Sequence, residues 1–115
     1  MSRVSNPVIL ICTTCRGYSA AAELRQVIAE TAPEGAVFKP VDCLAGCDHK
    51  TAVGIQGAGK ASYLFGPIET VDEARAIGAF AHQYEASESG WTSSQERPLA
   101  LKDKTLARLP RLVSP

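Results

Sequence analysis

The sequence predicts one α/β domain in the order β-α-β-β-β-α, built on a mixed sheet and followed by a C-terminal extension. Three observations carry that expectation. First, the run VILIC at residues 8–12 is followed by Leu24, Val27, Ile28 and Thr31 at helical spacing and then by AVFKPV at 36–41, the succession of a strand-helix-strand crossover. Second, TAVGIQ and KASYLF flank Gly57, Ala58 and Gly59 as the arms of an antiparallel hairpin. Third, Thr70 and Glu73 precede an apolar periodicity as a capping box opens a helix.

Each element follows from local chemistry. VILIC is apolar at every position, which predicts a strand buried on both faces. Ser19 is placed to cap the first helix, and Pro33 and Gly35 to stop it. The second strand contains Pro40, which has no N–H for a ladder and so belongs at a sheet edge or strand end. In the last helix, VDEARAIGAFAHQYEA, one face carries Ala74, Ile77, Ala81 and Tyr84. From Ser87 the composition turns polar, in SESGWTSSQERP, so the core domain is expected over 1–86 and an arm over 87–115. Within that arm Leu99, Leu106 and Leu109 suggest a short basic helix of about three turns, marginal unless it docks on a surface.

A chain of 115 residues with 45% hydrophobic content fits one compact domain. Its formal charge is zero, so overall charge calls for neither nucleic acid nor an anionic membrane. The balance is uneven: from Arg97 onward five basic residues face Asp103 alone, a balance of +4 that leaves −4 on the first 96 residues. The apolar stretch near the N-terminus is too short for a signal peptide, and no run approaches the roughly 20 apolar residues of a membrane span. The expectation is a soluble cytoplasmic protein, and in that compartment paired cysteines serve as metal ligands or catalytic thiols rather than disulfides.

The cysteines fall in two pairs, Cys12 with Cys15 and Cys43 with Cys47, each directly after an expected strand. If those strands are parallel neighbours, their C-terminal ends lie side by side and the two cysteine loops meet. Four thiolates in two pairs match a 2Fe-2S cluster, in which each iron takes two cysteine sulfurs. They also match one tetrahedral zinc. Gly17 and Gly46 would let backbone N–H groups approach sulfur, and Thr13 and Thr14 offer hydroxyls, which suits either metal. A third reading uses Cys12 and Cys15 alone as the dithiol of a thiol-disulfide oxidoreductase, activated by the following helix, but it leaves Cys43 and Cys47 unexplained.

The segments CTTCRG, VDCLAGCDHK and AVGIQGAGKASYLFG, with Trp91, Glu96, Arg97 and Pro98 in the tail, resemble a bacterial family of predicted metal-binding proteins that is itself similar to the thioredoxin-like 2Fe-2S ferredoxins. The resemblance covers essentially the whole chain. It implies a thioredoxin-like fold, Cys12, Cys15, Cys43 and Cys47 as cluster ligands, one-electron transfer to a protein redox partner, homodimers, and a setting near cobalamin biosynthesis, where corrin-bound cobalt must be reduced. The short spacing of Cys12 and Cys15 departs from those ferredoxins, whose first two ligands are usually further apart. No acid-base constellation is visible, so a carrier is expected rather than an enzyme with its own substrate pocket.

Other features have plainer readings. Asp48 and His49 read as solvated loop residues beside the last ligand, although imidazole near a cluster can relay protons. His82 reads as a surface residue of the last helix. The segment GIQGAGK has phosphate-loop spacing, but Ala61 replaces the magnesium-binding Ser or Thr and a strand follows, so it reads as a hairpin turn. Trp91, in a polar segment, is expected to anchor the tail or meet a partner, and the basic tail could steer an acidic redox partner.

Overall fold

The computed structural model describes residues 6–13, 17–42, 51–93 and 95–111, with the backbone alone at 17–19. The elements are β1 (Val8–Cys12), α1 (Gly17–Thr31), β2 (Val37–Val41), β3 (Val53–Gln56), β4 (Ser62–Phe65), α2 (Val71–Ala86), a 3-10 turn (Leu99–Leu101) and β5 (Thr105–Leu109). The strands form one sheet in the order β2-β1-β3-β4-β5. The β1-β2 pair is parallel and the other pairs are antiparallel, so the fold is α/β with a mixed sheet and two helices.

Register explains where the core sits. Ile9 pairs with Ile55 and Ile11 with Val53, and these in turn meet Tyr63 and Phe65, so one row of alternating residues from three strands faces the helices. All six are buried, together with Ile28 of α1 and Ile77, Phe80 and Tyr84 of α2. A one-residue slip would turn the whole row to the opposite face. That opposite face carries Val8, Leu10 and Leu64, half-buried, and Ala107 and Leu109, exposed. The strand expected to be buried on both faces is therefore fully buried on one, because among the described residues both helices pack on the same side.

Local chemistry fixes the ends of α2. Thr70 accepts the N–H of Glu73 while Glu73 accepts that of Thr70, the reciprocal cap expected from sequence. At the other end Lys60, from the β3-β4 turn, donates to the carbonyls of Tyr84 and Glu85 at 2.9 and 3.1 Å, where a cation also complements the helix dipole. Burial lowers the pKa of Lys60, opposed by the charge of Glu85. The lysine of GIQGAGK thus serves as a helix stop, and the segment is a hairpin turn with Gly59 at φ 71°. Pro40 stands on β2, an edge strand, as its missing N–H requires. For α1 the expectation differs by a turn: the helix begins at Gly17, so Ser19 lies inside it rather than at its cap.

The tail corrects the sequence reading more substantially. Residues 105–109, expected as part of a basic helix, form β5, pairing Ser62 with Leu109 and Tyr63 with Arg108. A helix of about three turns gains little by itself, whereas β4 otherwise exposes a row of unpaired backbone groups. Leu101, buried in the 3-10 turn, joins the main core.

Glu73 also links α2 to the tail. Its carboxylate accepts the N–H groups of Glu69 and Thr70 at 2.8 and 3.1 Å and pairs with Lys104 at 3.0 Å. Burial by itself would raise its pKa, but the backbone hydrogen bonds and Lys104 outweigh it and hold the carboxyl below its ordinary value of 4.5. A depressed folded-state pKa means stability that is present above the unfolded value and lost as pH falls through the folded one. Glu73→Gln is therefore expected to lose about 1 kcal/mol near neutral pH, the deficit shrinking as pH drops below 4.5. Urea midpoints of both proteins across that range check it, and a deficit independent of pH would refute the assignment.

Candidate metal centre

The C-terminal ends of β1 and β2 lie side by side, with Cys12 in register with Val41. The parallel adjacency needed for the two cysteine loops to meet is thus present. Cys12 is 4% exposed. Its sulfur donates to the carbonyl of Asp42, the residue after β2, at 3.7 Å. On the other side its N–H donates to the carbonyl of Ala52, just before β3, at 3.3 Å. Asp42 and Ala52, on the two sides of residues 43–50 in the sequence, therefore both lie beside Cys12.

Of the expected ligands, Cys12 is described, while Cys15, Cys43 and Cys47 lie outside the described residues, as do Thr14, Gly46, Asp48 and His49. Among the described residues no group of three or more His, Cys, Asp or Glu stands together as a metal site. Thr13 departs from expectation: its N–H and its hydroxyl both donate to the carbonyl of Val41, at 2.9 and 3.0 Å, so the hydroxyl pins β1 to β2 rather than serving sulfur. His82 is exposed on α2, as read from sequence.

Two features favour negative charge or strain here. The helix α1 starts at Gly17, two residues after Cys15, and the positive end of its dipole favours thiolate over thiol nearby. Thr51, where segment 43–50 rejoins, has φ 63°, a genuine outlier for a β-branched residue. It is 6% exposed and its hydroxyl has no hydrogen-bond partner among the described residues. Such strain persists only where surrounding structure enforces it, and it gathers at functional sites. No sequence signal marks Thr51, because nothing local requires a threonine to take this conformation.

Residues 9–111 match the model of the family described as Protein of unknown function (DUF1636), and the chain belongs to that family. No curated protein and no solved structure matches it.

Proposed function

We propose that this member of the DUF1636 family is a one-electron carrier whose 2Fe-2S cluster is held by Cys12, Cys15, Cys43 and Cys47. The observation that carries the reading is the position of Cys12 between Asp42 and Ala52: Cys43 directly follows Asp42 in the chain, and Cα atoms across one peptide bond are about 3.8 Å apart. Cys15 is three residues from Cys12. The donor set fits the group, since four thiolates in two pairs meet the ligand demand of two irons. When bound, the cluster supplies the one-electron couple.

The protein's own residues hold and tune that centre. Burial of Cys12 keeps water from its sulfur, α1 begins two residues after Cys15 in the sequence, and the buried hydroxyl of Thr51 has a donor to give. The same proposal takes the fold as thioredoxin-like, supported by the order β2-β1-β3-β4 with β1 parallel to β2 and a following antiparallel hairpin. It also takes the chain as a homodimer that serves a protein redox partner. The open sheet face with exposed Leu109 supports pairing, and a monomeric mass in sedimentation of the loaded protein would contradict it.

Full-length protein purified without oxygen is expected to be red-brown, with about two irons and about two sulfides per chain and visible absorbance that bleaches with dithionite. Colourless protein with about one zinc per chain would replace this reading with a zinc-binding structural or interaction module. Metal-free protein whose Cys12–Cys15 pair exchanges rapidly with disulfides would replace it with the thiol oxidoreductase.

A further inference from the structure

At the β5 edge of the sheet, on the face that carries the helices, the tail packs over Tyr63 and leaves an open cleft of about 450 Å³ bounded by Trp91, Ser93, Arg97, Thr105 and Arg108. Arg97 is only 7% exposed, yet among the described residues no carboxylate pairs with it. Its hydrogen bonds go to the hydroxyl of Thr105 at 3.0 Å and the carbonyl of Thr92 at 3.3 Å, and its guanidinium lies 5.5 Å from the centre of the Tyr63 ring. Among the described residues its Nε has no hydrogen-bond partner. Arg108 stacks on the Trp91 ring at 3.5 Å and donates to the same Thr92 carbonyl at 3.4 Å.

Two guanidinium groups therefore converge on one neutral oxygen. Like charges at such separation repel, and a buried cation without an anion is unfavourable. Glu96, next to Arg97 in sequence, does not relieve this, because its carboxylate accepts the N–H of Ser93 at 3.3 Å and forms no ion pair with either arginine. Both guanidinium planes are already fixed, Arg97 by its two hydrogen bonds and Arg108 by stacking on Trp91. Planar forks held in advance are the usual recognition elements for phosphate and carboxylate groups, and fixing them beforehand reduces the ordering cost of binding.

We infer that this cleft binds one oxyanion group, a phosphate or a carboxylate, of a small ligand, between Arg97 and Arg108. A nucleic-acid track would need a longer basic stripe. The site is separate from the cysteines: β5 is three strands from β1, about 14 Å at ordinary strand spacing. Its test does not depend on metal loading.

Trp91 is the only tryptophan, so its fluorescence reports the cleft directly. Full-length protein titrated with inorganic phosphate, and separately with succinate, is expected to give a saturable change that sodium chloride of equal ionic strength does not, with calorimetry yielding the same affinity. The tighter-binding of the two identifies the group. Arg108→Gln alters an exposed side chain and should fold, yet bind at least about tenfold more weakly. Absence of a saturable response to both anions, or unchanged affinity in Arg108→Gln, would overturn the inference.

Discussion

Alanine at Gly78 is expected to destabilise the protein by about 3 kcal/mol, although alanine is the better helix former. Propensity alone would favour alanine by about 1 kcal/mol in mid-helix. Packing reverses the sign. A Cβ at Gly78 would run into the hydroxyl of Thr31 and come within 2.7 Å of the Ile28 carbonyl and 2.8 Å of the Ala32 nitrogen. The last two are backbone atoms already hydrogen-bonded to each other at 3.0 Å, so they cannot swing aside as a side-chain tip would. Thr31 is held as well, donating to the carbonyl of Arg75 at 2.8 Å. Only separation of α1 from α2 makes room, and that loosens the contacts of Ile28 and Ile77 with the shared core. The exposed neighbour Ala79 is the control: Ala79→Gly should cost about 1 kcal/mol from propensity alone. Urea unfolding of both variants measures the contrast, and a neutral or stabilising Gly78→Ala would mean that the helices do not approach this closely.

Serine at Cys43 is expected to abolish metal binding and, with it, several kcal/mol of folding stability. A serine hydroxyl does not ionise near neutral pH and is a hard oxygen donor, whereas iron-sulfur centres are held by thiolates. Cys43 is a cleaner target than Cys12, which is buried at the end of a central strand, so that its loss would combine a packing defect with the loss of a ligand. Cys43 lies outside the described residues, in a segment tied to the sheet at Asp42 and Thr51–Ala52. If the metal fastens that segment, its removal should expose 43–50 to proteolysis first while the helices keep their circular dichroism. Iron analysis and limited digestion provide the readouts. Full iron content in Cys43→Ser would remove Cys43 from the ligand set.

Much of the fold was legible because its signals are local. The reciprocal bonds of Thr70 and Glu73, the glycines of the hairpin and the proline of β2 each impose their conformation without help from distant residues. The side of the sheet taken by each helix is not local, and VILIC therefore looked buried on both faces although Val8 and Leu10 are only half-buried. The segment TLARL has too few residues for periodicity to separate a weak helix from a strand, and the open edge of β4 decided. At the candidate centre, sequence spacing located Cys12 at the end of β1 but not its detailed surroundings. Thr13 turned its hydroxyl to a strand carbonyl, and Thr51 took a conformation that no composition signals. Arg97 was legible only as one charge of a basic tail, since its burial against Tyr63 depends on how the tail returns to β4.

The central claim is that the four sulfurs share one centre, and thiol alkylation followed by mass spectrometry tests it most directly. In the metal-loaded full-length protein, brief treatment with iodoacetamide should leave Cys12, Cys15, Cys43 and Cys47 all unmodified, and all four should become reactive together after the metal is chelated under denaturing conditions. Rapid modification of Cys15, Cys43 or Cys47 while the metal remains bound would contradict it, because a thiolate engaged as a ligand is not available to the reagent.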